Sequence, residues 1–311
     1  MKNEISADTS TLPAKKGFFT QKRQDYLWAY IMIAPTVIGL CILNIWPILQ
    51  TFYLSFFKQV GFAPAKWVGI KNYIGLFTNP DISEAIVNTL VYTVITVPVG
   101  IFLSLLVAVL LNSNIRGKSV FRTIYFLPVV SASAAIAMIW RWLLNSDYGI
   151  INYCLSLIGI KGPDWIADPR FAIFSIIIVG IWSGLGYNMI IFLAGLQEIP
   201  ETLYEAADID GAGTVRKFFS ITLPLVSPTM FFVVITTMIS SLQVFDNIYM
   251  IVDKGSPALP YVQSLVYIFY KYSFSMDDKG YGSAVATLLL VLILIITLIQ
   301  LKLQKKWVHY D

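Results

Sequence analysis

Few residues in this chain have types and spacing suited to chemistry, and most of the catalytic arrangements they suggest fail on inspection. Gly117-Lys118-Ser119 has the ending of a phosphate-binding loop, but five positions before Gly117 stands Asn112, and no apolar strand leads in. His309 is the single histidine, placed near Trp307 and Tyr310, and no Cys/His spacing fits a metal site. Cys41 and Cys154 do not amount to a disulfide framework. No acidic pair lies inside an apolar run to suggest a proton relay. What remains is a set of hydrogen-bonding and aromatic side chains within long apolar stretches. Trp182, Ser183, Gly184, Tyr187 and Asn188 lie in one, and Thr236, Thr237, Ser240, Ser241 and Gln243 in another, with Asp246 just beyond. Ser183 and Tyr187 are four apart and share a helical face, as do Thr237 and Ser241, with Thr236 and Ser240 beside them. That chemistry is recognition without bond making. Small and hydroxyl residues also serve helix–helix contact in membranes, so packing is the competing role. Asp246 is either a functional ionisable group or an interfacial residue that caps or pairs with a Lys or Arg.

Composition decides what holds these residues. Of 311 residues, 57% are hydrophobic and 13% charged, against a globular norm of about 25% charged, and the mean hydropathy is +0.71. This is the signature of an all-α polytopic membrane protein. A spanning helix needs roughly 20 apolar residues, and six intervals qualify: 26–57, 85–115, 123–140, 171–197, 218–245 and 280–301. Pro35 and Pro47 predict either a kink in the first or ends that lie at the membrane interface. A surface helix is expected near Asn72–Phe77, and a short basic loop at Arg116, Lys118 and Arg122. The stretch 143–170 reads as a loop, with Gly162-Pro163 and Asp168-Pro169 as turn signals, and Gly255-Ser256-Pro257 marks a turn before the last span. Trp28, Trp46, Trp140, Trp142 and Trp165 read as membrane-interface anchors. Residues 1–25 are polar and basic, and the apolar run that follows is too long for a cleavable signal core.

One polar interval, Glu198 to Pro224, lies between two apolar spans and has a helix grammar of its own. Pro200 suits a first helical position, and Glu201 the first turn. Gly211 and Gly213 are expected to close that helix in left-handed conformations. Thr214 would cap a second short helix, 215–220, before Pro224.

With Glu205-Ala206-Ala207, then Gly211, then Ile221, Leu223 and Pro224, this interval resembles the cytoplasmic loop signature of ATP-binding-cassette importer permeases. The resemblance continues through Val68-Gly69-Ile70-Lys71-Asn72-Tyr73, Arg122 with Phe126-Leu127-Pro128, and Trp140 to Asn145. Phe192 to Gln197 and Tyr281-Gly282-Ser283-Ala284 extend it. Covering about residues 27–303, it is similar to the first permease subunit of the maltose and glycerol-phosphate type, in the carbohydrate-uptake branch. The two extra N-terminal spans and large periplasmic domain of the maltose-type subunit have no counterpart in the expected layout.

The resemblance implies a six-span type I importer permease fold and no enzymatic activity of its own. It implies translocation of a sugar or oligosaccharide by alternating access, with a second homologous permease, two ATPase subunits that hold ATP and magnesium, and an extracytoplasmic sugar-binding protein as partners. No cofactor is expected on this chain, and no nucleic acid; membrane lipid surrounds it. Glu205, Ala206, Ala207, Asp208, Gly211, Ala212, Ile221, Leu223 and Pro224 would form the coupling loop (197–222 and its exit) that docks on an ATPase. Glu205 would face a basic residue there, and Ala206 and Ala207 would permit close approach. The resemblance also favours a cavity role for Ser183 and Gly184, while for Thr236, Ser240 and Ser241 packing serves equally well.

The expected organisation is a tail at 1–25, a first span with an outer segment at 26–84, a core at 85–303, and a tail at 304–311. With the N-terminus inside, thirteen of the 22 Lys and Arg residues fall on the cytoplasmic side. That places both termini and the Glu205 loop in the cytoplasm and the protein in the cytoplasmic membrane of a prokaryote. Polytopic membrane enzymes and secondary transporters working without an ATPase form the competing class. They lack support here, since no catalytic constellation or mid-span charge relay is visible.

Overall fold

The computed structural model describes residues 21–113 and 115–307; Lys2, Lys15, Lys16, His309 and Tyr310 lie outside the described residues. Two units divide at Gln50, residues 1–50 and 51–311. Four helices are long and apolar enough to cross a bilayer: Asp25–Leu54, Pro80–Asn112, Ala172–Gln197 and Lys279–Lys305. Two further apolar segments are helix pairs bent at a short break, and counting each as one span gives six.

The first apolar segment comprises α1 (Gln21–Leu40), a π turn at Cys41–Ile45, and α2 (Trp46–Leu54). A widened turn stands just before Pro47, where a proline cannot donate to the residue four back. A two-stranded antiparallel ribbon follows, pairing β1 (Phe57–Lys58) with β2 (Lys66–Trp67). Next comes the expected surface helix, α3 (Lys71–Thr78). Asn72 fixes it by donating to the carbonyls of Ser55 and Phe57 at 2.8 and 2.9 Å. Helix α4 (Pro80–Asn112) starts under Asn79, whose side chain accepts from the Asp81 amide.

The structure corrects several expectations for the next interval. Lys118 and Arg122 are not in a loop; they lie on α5 (Lys118–Val130), which opens at Gly117 in the left-handed region, φ +77°. The span expected at 123–140 is not one helix. Ser131 and Ala132 are extended, and α6 (Ser133–Leu143) leaves at 103° to α5. Inside the stretch read as loop lies α7 (Ile150–Leu157). Asn152 holds that stretch together: its amide donates to the Ser146 and Pro163 carbonyls, and its oxygen accepts from the Trp165 indole at 2.6 Å. Trp140 and Trp165 are partly buried against an apolar cluster, while Trp28, Trp46 and Trp142 are exposed.

Helix α8 (Ala172–Gln197) matches its expected interval. The polar segment forms α9 (Glu201–Ile209) and α10 (Thr214–Lys217). Pro200 caps α9 rather than beginning it, and Gly213, not Thr214, precedes α10. Rather than ending at 220, α10 runs through a π turn at Phe218–Thr222 into α11 (Leu223–Leu225). The fifth interval is also bent, by 67° at Val226, before α12 (Ser227–Leu242). Pro224 and Pro228 flank the bend and remove two backbone donors from it. The final elements are α13 (Asp246–Ile251), α14 (Leu265–Tyr270) and α15 (Lys279–Trp307).

Three apolar clusters run through residues 51–311. One joins the start of α4 to α14 and α15 through Ile82, Ala85, Leu265, Ile268 and Ala284. A second joins α6, α8 and α13 through Ala137, Ile176, Val179 and Ile248. The third joins the ends of α4 and α8 through Leu105, Ala108, Phe192 and Leu196, with Leu223 and Phe218 packed beneath.

Candidate functional site

Helices α4, α8 and α12 approach closely because small residues stand at their crossings. A side chain at Gly186 would overlap the backbone carbonyl of Tyr125 on α5, one at Gly180 the phenol of Tyr92, and one at Gly195 the Thr229 side chain. Gly184 differs, having nothing within 4 Å of where a side-chain carbon would stand. It faces a cavity of about 480 Å³, within the roughly 300–1,000 Å³ range of small-ligand sites.

Every residue read from the sequence as a polar pathway lines this cavity except Trp182, which packs edge-on against Trp140. Ser183, Gly184, Tyr187 and Asn188 come from α8; Thr237, Ser240, Ser241 and Gln243 from α12 and its end; Asp246 from the start of α13. Thr236 lines it as well, although its hydroxyl donates back to Phe232 at 2.9 Å within its own helix. Thr237 donates across to the Asn188 oxygen at 3.3 Å, so the α8 and α12 walls touch through polar groups. Ser183 Oγ is buried with no hydrogen-bond partner, an arrangement that costs free energy unless something polar meets it. Among the described residues, Asp246 is the one charged member of the 21 that form the lining, with no Lys or Arg.

Two walls were not legible beforehand. Tyr92 and Thr96 come from α4, and Ser131 and Ser133 from the break between α5 and α6. Pro128, one turn before that break, is the signal that could have located it. Phe245 and Asn247 flank Asp246.

The second candidate site is the α9–α10 segment. The Ala212 amide donates to the Ala207 carbonyl at 2.8 Å and the Gly211 amide to Asp208 at 3.0 Å. With Gly211 at φ +71°, these are the paired bonds of a Schellman closure. Gly213 (φ −67°) is not left-handed, contrary to the expectation. Glu205, Ala206, Asp208 and Ile209 are exposed, Ile209 at 88%. The other end of the segment is anchored: Ile221 is half-buried in the π turn, and Leu223, beside Pro224, packs on the third apolar cluster. One end is thus free and the other is built into the bundle.

Residues 71–309 match the family of binding-protein-dependent transport system inner membrane components. The chain belongs to that family. Among its relatives, the probable ABC transporter permease protein YesP of Bacillus subtilis is 35% identical, over 93% of this chain and 94% of the relative. The trehalose/maltose transport system permease protein MalF of Thermococcus litoralis is 34% identical, over 91% and 95%. A solved bacterial ABC transporter involved in the import of the acidic polysaccharide alginate has the same fold, with a TM-score of 0.81 and 24% identity over 92% of this chain and 97% of that one. This inner membrane component is therefore a multi-pass transport subunit, an ABC importer permease, and not an enzyme.

Proposed function

We propose that this permease subunit carries a neutral sugar or oligosaccharide across the cytoplasmic membrane by alternating access. The observation that carries the substrate class is the cavity lining, in which hydroxyl, amide and aromatic groups and the Asp246 carboxylate face a volume with no cationic side chain among the described residues. An acidic ligand would require cations there, since a charge removed from water must be paired. The name of the Thermococcus relative, a trehalose/maltose permease, fits that class, whereas the alginate transporter of the same fold is involved in the import of an acidic polysaccharide, so the lining alone carries the neutral reading.

In this reading a second homologous permease completes the pathway, and an extracytoplasmic binding protein delivers the sugar. Two ATPase subunits, which hold ATP and magnesium, meet the exposed face of α9. Both termini lie in the cytoplasm, on the same side as α9. Closure of the ATPase dimer displaces α9 and shifts the membrane unit between two states whose populations nucleotide biases.

The test is purification of the chain from its native membrane in mild detergent, with mass spectrometry of co-purifying proteins. Recovery of an ATPase and a second six-span permease is expected, and the binding protein recovered with them should take up neutral saccharides in a binding screen. Recovery of this chain alone, from a membrane where it is active, would remove the ATP-driven reading and restore the enzyme or secondary transporter. A binding protein selective for acidic sugars would overturn the substrate class.

A further inference from the structure

Helix α9 hangs on a Gly211-Ala212-Gly213 connection. Beyond the Schellman closure at Gly211 and Ala212, Gly213 imposes little restriction on the backbone, so a push on α9 transmitted through that connection alone would swivel the helix rather than move the span behind it. Two side-chain contacts bypass the connection. The Tyr204 hydroxyl, from the middle of α9, meets Thr222 Oγ1 at 2.9 Å across 18 residues of sequence. The Lys217 ammonium meets the Asp208 carboxylate at 2.6 Å across nine. Tyr204 is half-buried between exposed neighbours, and Thr222 is buried, at the point where the π turn enters α11. Leu223, the next residue, packs under α4 and α8.

We propose that Tyr204 and Thr222, assisted by Lys217 and Asp208, are positioning residues that lock α9 to the base of the fifth span, so that a displacement of α9 reaches the cavity walls on α12. The proposal rests on the coupling role given to α9 above. Neither Tyr204 nor Thr222 lines the cavity; both act through the helix they hold.

The test uses the complete complex with Ser240→Cys as a cavity reporter, in a Cys41→Ser/Cys154→Ser background. A membrane-impermeant maleimide is the probe, and the labelling rate is compared between nucleotide-free and vanadate-trapped states. The parent complex should show a nucleotide-dependent change. Tyr204→Phe and, separately, Thr222→Val should shrink that change on the order of five-fold while the ATPase stays bound and hydrolyses ATP. Thr222→Ser, which keeps the hydroxyl, should restore it. The double variant Tyr204→Phe/Thr222→Val should be no worse than either single one, because both remove one interaction. An unchanged nucleotide response in both single variants would overturn the brace while leaving the coupling reading intact. No nucleotide response in the parent complex would overturn the coupling reading itself, and the brace with it.

Discussion

The phenol of Tyr92 on α4 occupies the space that a side chain at Gly180 on α8 would require. Both residues line the cavity, so this contact sets its width where α4 and α8 cross. Gly180→Ala should displace the ring, destabilise the assembly by about 1–3 kcal/mol through overpacking, and reduce uptake. Thermal unfolding of the purified complex and a transport assay check the two effects. An unchanged melting temperature would mean that Tyr92 moves aside freely.

Glu205 and Gly211 separate coupling from folding. Glu205 is exposed, so Glu205→Lys should alter stability by no more than about 0.5 kcal/mol yet abolish ATP-driven uptake. Gly211→Pro removes the amide that donates to Asp208 and imposes a φ near −65° where +71° is needed. It should abolish uptake while membrane insertion, followed by fractionation, stays normal. Gly211→Ala has open space around it and should cost only about 1 kcal/mol in backbone strain. Normal uptake by Glu205→Lys or Gly211→Pro would sink the coupling role.

Asn188 accepts from Thr237 and is buried in the cavity wall. Asn188→Leu should weaken uptake at low substrate far more than at saturation, while basal ATP hydrolysis by the complex persists. Equal losses at all substrate concentrations would place Asn188 outside the pathway.

Asn79 ties three elements at the far end of the bundle. It caps α4 and donates to the hydroxyls of Tyr272 and Tyr281 at 2.8 and 3.2 Å, beside an ion pair between Lys271 and Asp81 at 2.6 Å. Asn79→Ala should cost about 0.5–2 kcal/mol through the cap alone, read as a lowered melting temperature. Lys271→Met should cost less, because the pair is partly solvated.

The sequence made the apolar intervals and the α8 and α12 faces legible because both depend on spacing within one helix. Ser183 and Tyr187, or Thr237 and Ser241, share a face whatever surrounds them. The bends were not legible from hydropathy, because its average over a window is the same for a straight helix and for two helices at 103°. Tyr92 and Thr96 were missed for a related reason. On α4, Thr89 and Thr93 donate to carbonyls four residues back, and sequence alone does not show which threonine of the series turns toward the cavity. Several motifs that carried the family resemblance prove to be structural: Asn72 anchors α3, Gly195 admits Thr229, and Gly282 admits Ser273.

The extended residues Ser131 and Ala132 interrupt a helix in the middle of an apolar interval. Backbone without a helical ladder is tolerated at membrane depth only where protein or water meets it, and here it borders the cavity. Backbone polar groups there therefore depend on protein partners or on water admitted through the cavity. Water admitted to that chamber would leave the seal against ions to the protein that closes it rather than to an unbroken apolar helix.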